Sequence, residues 1–377
     1  MELCNQALEQ SALDRGIVDL GNLERFARVF ARAEQGEPIT VGFLGGSITQ
    51  DSAATRHENC YAYRTYLWWK RQFPKSEVRY VNAGIGATTS QFGVARVEAD
   101  LLSKGPDVVF CEFSVNDADT PFYRECFEGL LRRILSDAKE PALLVFNNVV
   151  YDTGENAQAA HNAVALHYGV PVVSMKDSIY EEIQLGNLAR EEITADNLHP
   201  NDLGHGLVAQ VLENCLALIY EKYRERDASV LTPWTLRQPL TQNRYENSRR
   251  IQGREGLAVC EGFAEDPREQ QGVRDVFKNG FTAEREGAVL AYRVNARKVS
   301  VQYRKTIAHP APRAEVLIDG TRVAELVSDF DETWGDCLYL QDVWEAEEAA
   351  EHLVTVRITE VPKQPGAPFY FVSLICC

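Results

Sequence analysis

The order of strand-like and helical segments is the feature that most constrains the fold of this chain. Up to about residue 226, short continuous apolar runs such as 39–44, 107–113 and 142–150 alternate with amphipathic segments of helical period. Continuous apolar runs are typical of strands buried on both faces, and strands that alternate with helices form parallel sheets with helices on both sides. The first part of the chain is therefore predicted to be a doubly wound α/β domain.

The pattern changes after residue 226. Segment 227–255 is irregular and contains Pro233 and Pro239, and we interpret it as a linker or wrapping segment. From residue 256 onward, short strand-like runs are separated by Gly, Pro, Asn or Asp, among them 289–294, 298–304, 337–340 and 352–358. Asp319-Gly320 is typical of a two-residue hairpin turn. The sequence therefore predicts an α/β domain over 1–226 and a β-sandwich over 256–377.

The charge balance argues against two classes of partner. Lys and Arg number 39 and Asp and Glu number 55, so the formal net charge is −16. A chain this acidic is repelled by phosphate backbones and by anionic lipid, so we expect neither nucleic acid nor a membrane as a partner. No apolar run approaches the roughly 18 residues of a membrane-spanning helix. The sequence leaves the oligomeric state open, a homo-oligomer included.

The cysteines and the N-terminus indicate a cytoplasmic protein. Reduced, buried thiols are typical of cytosolic proteins. The N-terminal MELCNQALEQSALDRG carries acids and no apolar core, so no signal peptide is expected. The nine cysteines have no regular spacing, and several lie inside apolar runs: Cys4, Cys60, Cys111, Cys126, Cys215, Cys260, Cys337, Cys376 and Cys377.

Residues capable of chemistry follow the predicted strands. Gly45-Gly46-Ser47 follows the first strand, segment 82–87 the second and segment 114–117 the third, while 196–200 precedes the last helix. Functional residues of doubly wound sheets lie at the carboxyl ends of the strands. These four segments are therefore predicted to meet at one edge of the sheet.

The residue types in these segments suit acyl transfer. A serine hydroxyl needs a base within hydrogen-bond reach, and His199 is a candidate to accept the proton of Ser47. Asp196 lies three residues earlier and can orient the imidazole. A tetrahedral intermediate also needs hydrogen-bond donors for its oxyanion. Candidate donors are the backbone N–H of Ser47, an N–H in the Gly86-Ala87 turn and the side-chain amide of Asn116.

The four segments, in this order, resemble the four sequence blocks of the SGNH (GDSL) hydrolase family, and the resemblance spans about residues 39–220. It implies a flavodoxin-like three-layer fold, no metal or other cofactor, and ester hydrolysis through a serine acyl-enzyme. It further implies Ser47 as the nucleophile, Asp196 and His199 as the rest of the triad, and Asn116 with an amide near Ala87 as oxyanion donors.

Two departures from the family pattern affect the site. The first block reads Gly-Gly-Ser-Ile-Thr, and the glycine of the second block is replaced by Ala87, with Gly86 just before it. A backbone N–H serves whatever the side chain, provided that its φ angle tolerates a Cβ. The oxyanion donor is therefore assigned to the pair Gly86 and Ala87, with the choice between them left open.

Structural interpretations compete with the catalytic one. Ser47 can be a simple helix N-cap, and the Gly-Gly-Ser turn can hold a phosphate, although no Gly-Lys-Ser/Thr follows. His199, His205 and Asp196 can be metal ligands. The aromatic run from Tyr61 to Trp69 is typical of core packing on a helix.

The substrate class rests on a weaker resemblance. An α/β domain followed by a β-sandwich resembles bacterial two-domain carbohydrate acetylesterases, and Trp234, Trp334 and Trp344 are candidate flat faces for sugar rings. We therefore expect an esterase that removes small acyl groups, above all acetyl, from acetylated plant-type oligosaccharides. The alternatives are a lipase or thioesterase for longer chains and a catalytically idle carbohydrate-binding protein.

Overall fold

The computed structural model describes residues 7–377, so Cys4 lies outside the described residues. The chain forms two compact units, Met1–Glu246 and Asn247–Cys377. The division falls inside segment 227–255, which the sequence suggested as a linker or wrapping segment. Its first part, 227–246, belongs to the first unit, and its second part, 247–255, belongs to the second.

The first unit alternates helices and strands over most of its length. Its helices are α1 Gln10–Arg15, α2 Glu24–Glu34, α3 Ser47–Gln50, α4 Tyr61–Gln72, α5 Ser90–Asp100, α6 Pro121–Leu135, α7 Gln158–Tyr168, α8 Glu181–Gln184, α9 Arg190–Ile193 and α10 Asp202–Glu225. Its strands are β1 Ile17–Asp19, β2 Ile39–Gly45, β3 Val78–Gly84, β4 Val108–Glu112, β5 Ala142–Asn147 and β6 Val172–Ser174.

These strands form one sheet in the order β1-β6-β5-β4-β2-β3. Strands β2 to β6 are parallel, and their order is that of the flavodoxin-like sheets. The predicted fold class of this unit is confirmed. The edge strand β1 pairs antiparallel with β6 and was not predicted, because three residues are too few to show a strand period.

Side chains of the strands alternate between two apolar cores, one on each face of the sheet. On one face Val41 and Phe43 pack with residues of α2, α4 and α10. On the other face Leu44 packs with residues of α5, α6 and α7. Both faces of β2, β4 and β5 are therefore buried, which explains why these strands are continuous apolar runs in the sequence.

Segment 227–246 is held to the first unit by a buried carboxylate. Glu128 on α6 accepts hydrogen bonds from the backbone N–H groups of Leu240 and Thr241 and from the hydroxyl of Tyr168. Burial raises the pKa of Glu128, but these bonds outweigh it and hold that pKa below its ordinary value. The carboxylate therefore stays ionised and satisfied under this segment.

Trp234 corrects one prediction. The sequence offered it as a sugar-stacking face of the sandwich, but it belongs to the first unit. Its indole N–H donates to the carbonyl of Tyr168 at 2.8 Å, and the guanidinium of Arg25 lies 4.1 Å from its ring centroid. Its ring is therefore used in packing.

The second unit is a β-sandwich of antiparallel strand pairs, as predicted. Strand β11 pairs with β14 along one edge, while its other edge pairs with β8 and then with β15. The strands are β7 Arg249–Gln252, β8 Leu257–Glu261, β9 Ala264–Glu265, β10 Phe281–Ala283, β11 Val289–Lys305, β12 Arg313–Ile318, β13 Thr321–Val327, β14 Cys337–Glu360 and β15 Phe369–Cys376.

Two pairs of predicted strands are in fact single strands. Runs 289–294 and 298–304 both lie in β11, and runs 337–340 and 352–358 both lie in β14. The interruption at Asn295 that suggested a turn lies just before a bulge in the pairing of β11 with β14. A bulge adds a residue and bends the strand without ending it.

The turn predicted at Asp319-Gly320 is confirmed, because Ile318 pairs with Thr321 across it. Both turn residues have positive φ angles, 51° and 82°, as a tight hairpin requires.

Two further features concern the chain as a whole. Within residues 7–377, α10 is long and apolar enough to cross a membrane by length and composition. However, 61% of its apolar 18-residue stretch is buried inside the protein. It passes that test because it is a core helix. None of the eight described cysteines forms a disulfide, and six of them are buried.

Candidate active site

Ser47 is the first residue of α3, directly after β2, and only 8% of it is exposed. Two glycines before it are needed because other groups lie too close for a side chain. A Cβ on Gly45 would lie 2.2 Å from the hydroxyl of Thr49, and one on Gly46 would lie 2.2 Å from Oδ1 of Asn116. The Gly-Gly-Ser sequence thus brings the serine against the end of a neighbouring strand.

The structure brings Ser47, His199 and Asp196 into one row of hydrogen bonds. Nε2 of His199 lies 2.8 Å from Oγ of Ser47, and its Nδ1 lies 2.7 Å from Oδ2 of Asp196. With a proton on Nδ1 donated to the carboxylate, Nε2 is left to accept the serine proton. This is the geometry of an activated nucleophile.

Asp196 is stabilised in its ionised form. Burial raises its pKa, but hydrogen bonds from the His199 side chain and from the backbone N–H groups of His199 and Leu198 outweigh that effect and bring the pKa to about 2. The second oxygen, Oδ1, receives those two backbone bonds at 2.7 and 3.0 Å. The carboxylate therefore holds both the imidazole and the loop that carries it.

The loop that carries His199 is tied to the end of β5. Asn197 has a φ angle of 68°, and its carbonyl accepts the backbone N–H of Tyr151 at 2.7 Å. Its side-chain amide donates to Asp152 at 2.9 Å. Asparagine tolerates this left-handed conformation better than most residues.

The predicted oxyanion donors are the N–H of Ser47, the N–H of Ala87 and the side-chain amide of Asn116. The N–H groups of Ser47 and Ala87 have no hydrogen-bond acceptor among residues 7–377. The side chain of Asn116 lies against Gly46, the residue before the nucleophile. These groups come from the carboxyl ends of β2, β3 and β4, where the sequence placed them.

The structure separates Gly86 from Ala87. The N–H of Gly86 donates to Oε1 of Gln50 at 2.5 Å, so this N–H is already occupied. Ala87 has a φ angle of 55°, which places an alanine in the region that favours glycine. The sequence analysis missed Gln50, although it follows Ser47 by three residues and so lies one helical turn away.

A buried acidic network supports the turn that carries Asn116. Glu112 accepts hydrogen bonds from both the N–H and the hydroxyl of Ser114. Asp117 accepts the N–H of Ser90, at the start of α5, and contacts Nε2 of His161 at 3.0 Å. Burial raises the pKa of Glu112. The sequence analysis did not assign roles to these buried polar residues, since nothing local showed what they bond.

Arg96 connects the ends of two strands. This buried guanidinium donates to the carbonyl of Ala83 at 2.7 Å and to that of Gly45 at 3.1 Å. It also pairs with Asp100 on its own helix. Arg96 therefore joins the loop of Ser47 to the loop of Ala87. The signal in the sequence was an arginine between Val94 and Val97 on the apolar face of α5.

The competing interpretations of these residues fit less well. Gly46, and not Ser47, is the N-cap of α3, and no side chain caps that helix. Both nitrogens of His205 are hydrogen bonded, to the carbonyl of Ser52 and to the N–H of Tyr61. No group of three or more His, Cys, Asp or Glu side chains in the described part of the chain is arranged to hold a metal ion.

Comparison with known proteins identifies relatives of both units. The model of the GDSL-like lipase/acylhydrolase family matches residues 43–207. Thioesterase 1/protease 1/lysophospholipase L1 of Escherichia coli (strain K12) is 31% identical over 169 residues, which are 43% of this chain and 76% of that protein.

Solved structures extend the likeness to the second unit. A two-domain esterase (CEX) active on acetylated mannans is 46% identical, with a TM-score of 0.92 over 97% of this chain and 98% of that one. The same kind of esterase co-crystallized with mannopentaose is 45% identical, with a TM-score of 0.90 over 97% of both chains.

These relatives confirm the resemblance seen in the sequence and the architecture of two units. They also show that the protein is a carboxylic ester hydrolase, so the alternative of a catalytically idle binding protein is set aside. The chain belongs to the GDSL-like lipase/acylhydrolase family.

Proposed function

We propose that this protein is a serine esterase that removes acetyl groups from acetylated mannan-type oligosaccharides. The observation that carries the proposal is the hydrogen-bonded row of Ser47, His199 and Asp196. It occurs in a chain that is 46% identical, over 97% of its length, to an esterase active on acetylated mannans.

Acylation begins with the hydroxyl of Ser47. Its oxygen attacks the acetyl carbonyl carbon while Nε2 of His199 takes the proton, and Asp196 stabilises the resulting imidazolium. The tetrahedral intermediate collapses when the sugar oxygen leaves with the proton from His199. This step leaves the acetyl group on Ser47 and releases the deacetylated sugar.

Deacylation repeats the sequence with water. His199 takes a proton from a water molecule, whose oxygen attacks the acetyl carbon. The second intermediate collapses when Oγ of Ser47 leaves with that proton from His199, which releases acetic acid and free Ser47. The negative charge of both intermediates develops on the former carbonyl oxygen. We assign the donors to that oxygen as the N–H of Ser47, the N–H of Ala87 and the side-chain amide of Asn116.

The choice of Ala87 over Gly86 follows from the bonding of the turn. Gly86 already donates its N–H to Gln50, whereas Ala87 has no acceptor among the described residues. Breaking a formed hydrogen bond in order to bind the oxyanion would cost free energy that an open donor does not lose. Ala87 is therefore the favoured donor.

The second unit supports the assignment to a carbohydrate substrate. Its exposed aromatic rings include Trp334, which is 59% exposed and packs edge-on against Phe330. Tyr339 is 37% exposed, and the ammonium group of Lys305 lies 4.3 Å from its ring centroid. Flat, exposed aromatic faces of this kind suit the apolar faces of sugar rings.

A longer acyl substrate is the second candidate, because the relative from Escherichia coli is a thioesterase and lysophospholipase. The match to that relative covers 43% of this chain, whereas the match to the mannan esterase covers 97%. We also propose a cytoplasmic location, which cell fractionation tests. A homo-oligomeric state is a further proposal, which analytical sedimentation tests.

Covalent labelling of the nucleophile tests the mechanism. Phenylmethylsulfonyl fluoride should add its sulfonyl group to Ser47, as located by mass spectrometry of a digest. Ser47→Ala should fold normally and lose at least about 10³-fold in turnover of p-nitrophenyl acetate. Modification elsewhere, or an active Ser47→Ala variant, would contradict the proposal.

Substrate comparison tests the acyl and sugar assignments. Acetyl esters should be favoured over octanoyl esters, with preference decaying over intermediate lengths because each methylene changes binding by only about 1–3 kcal/mol. Acetylated mannooligosaccharides should exceed p-nitrophenyl acetate in kcat/KM. Trp334→Ala should lower kcat/KM for the acetylated mannooligosaccharides and leave kcat/KM for p-nitrophenyl acetate unchanged. Octanoyl or thioester substrates as the best ones would favour the second candidate.

A further inference from the structure

We propose that Gln50 is a positioning residue of the esterase, which holds the 84–88 turn so that the N–H of Ala87 is the one directed at the oxyanion. The inference deepens the proposed function and rests on it. Gln50 is not one of the partners in the hydrogen-bonded row of Ser47, His199 and Asp196. Its acceptor oxygen instead decides which backbone donor of the turn remains open.

The geometry places Gln50 between the nucleophile and the turn. Gln50 is the last residue of α3, the four-residue helix that Ser47 begins. Its Oε1 accepts the N–H of Gly86 at 2.5 Å. A Cβ on Gly86 would lie 3.2 Å from that oxygen and 3.7 Å from Cβ of Ser47. The amide of Gly86 therefore lies beside the serine.

A turn with this sequence needs an external anchor. Glycine adopts many backbone conformations, so Gly86 alone does not hold the direction of the next peptide group. Ala87 is held at a φ angle of 55°, a conformation that costs alanine about 1 kcal/mol or more. The bond to Gln50 opposes relaxation of the turn away from this conformation.

The other contacts of the turn hold its base and leave its tip to Gln50. The N–H of Ile85 donates to the carbonyl of Gly45 at 3.1 Å, and Asn82 donates to the carbonyl of Thr49 at 2.8 Å. The hydroxyl of Thr88 donates back to the carbonyl of Ile85. Gln50 is the side chain outside the turn that bonds Gly86 itself.

Loss of the acceptor should act on the transition state. A displacement of about 1 Å at a catalytic group can cost about 10²-fold in rate. The oxyanion exists only in the tetrahedral intermediates and their transition states, so kcat and kcat/KM should fall together. Substrate binding, which precedes that charge, should change little.

The test uses the full-length enzyme and three variants. Gln50→Met keeps the length of the side chain and removes the acceptor. Gln50→Glu keeps an acceptor but adds a charge near the oxyanion. Gln210→Met is the matched control, because Oε1 of Gln210 also accepts a backbone N–H, that of Leu8, at 3.0 Å. Gln210 lies in the third turn of α10, outside the active site.

We expect Gln50→Met to lower kcat for p-nitrophenyl acetate by about 10- to 100-fold with KM within about twofold. The inhibition constant of phenylboronic acid, which forms a tetrahedral adduct with serine, should rise in parallel. Gln50→Glu should also lower kcat, because its negative charge opposes the charge of the oxyanion although the acceptor for Gly86 is kept. Gln210→Met should retain the kcat and boronate affinity of the natural enzyme.

Several outcomes would overturn the inference. A kcat within about twofold of the natural enzyme for Gln50→Met would remove the positioning role. So would an inhibition constant of phenylboronic acid that is the same for Gln50→Met and the natural enzyme. Ser47→Ala is assayed beside these variants: if it stays active, the proposed function itself has failed, whatever the Gln50 variants show.

Discussion

At the scale of single residues, the site depends on the protonation states of Asp196 and His199. Asp196 is ionised because hydrogen bonds from His199 and Leu198 outweigh the effect of burial, with a resulting pKa of about 2. Ser47 and His199 are joined by one hydrogen bond, so only a neutral imidazole can begin the reaction. Acid sensitivity should therefore arise at the histidine.

We expect kcat/KM for p-nitrophenyl acetate to fall as the pH is lowered from about 8 to 4, because a protonated imidazole cannot accept the proton of Ser47. Asp196 stays ionised throughout this range. Because its pKa is depressed on folding, its contribution to stability is present above the ordinary carboxyl pKa of about 4 and is lost as the pH falls towards 2. An activity profile that is flat to pH 4 would contradict this assignment.

Ala87 allows a second prediction at the same scale. Ala87→Gly removes the strain of a φ angle of 55°, but it also adds freedom to the unfolded chain, worth about 0.4–1 kcal/mol. The two effects oppose each other, so the melting temperature should change little and activity should remain, since the N–H is kept. Ala87→Val should lower both the melting temperature and the activity, because a β-branched residue fits a positive φ angle worst.

Calorimetry and p-nitrophenyl acetate assays of the two Ala87 variants check this pair. An inactive Ala87→Gly variant of normal stability would show that the methyl group itself matters. A fully stable Ala87→Val variant would show that the turn relaxes easily.

At the scale of elements, the loops at the strand ends are joined by buried side chains. Arg96 on α5 bonds the carbonyls at the ends of β2 and β3. Asp117, next to Asn116, bonds the first turn of α5 and His161 on α7. The ring of His161 stacks on Phe127 of α6, with centroids 3.7 Å apart. These contacts connect the loops that carry the proposed oxyanion donors.

Asp117→Ala should destabilise the protein by about 1–3 kcal/mol for each buried donor that it leaves unpaired. It would leave the N–H of Ser90 and the ring of His161 without their acceptor. Urea denaturation measures the loss. Asp119→Ala is the control, because Asp119 is an exposed carboxylate two residues away. Equal stability of the two variants would contradict this role for Asp117.

At the scale of the whole molecule, the chain consists of two units with separate apolar cores. The first unit includes segment 227–246, whose contacts with α6 are made through Glu125, Glu128 and Arg132. The boundary of the catalytic unit is therefore Glu246, twenty residues beyond the end suggested by the change of pattern at 226.

Two truncations test this boundary. A chain ending at Glu246 should fold cooperatively and hydrolyse p-nitrophenyl acetate. A chain ending at Arg226 should be less stable by about 2 kcal/mol or more, because Trp234 and Leu236 would no longer pack on the apolar core beside α6 and α7. Thermal unfolding followed by circular dichroism compares them. Equal melting temperatures would show that segment 227–246 is dispensable.

The accuracy of the sequence analysis follows the range of the interactions involved. Strands β2, β4 and β5 could be predicted because burial on both faces makes their sequence continuously apolar. Trp234 could not be placed, because its partners Arg25 and Tyr168 are remote in the chain. Likewise, the single strand β14 was divided in two, because residues 345–351 in its middle are all Glu or Ala, which are depleted in strands.

The sequence by itself determined the class of fold, the order of the two units and the residues of the proposed triad. These depend on local periodicity and on motifs that follow strands, both of which are written in short stretches of chain. Only the tertiary structure decided which N–H of the Gly86-Ala87 turn is open. The acceptor that occupies Gly86 comes from Gln50, 36 positions earlier, and contacts between remote segments form only when the chain has folded.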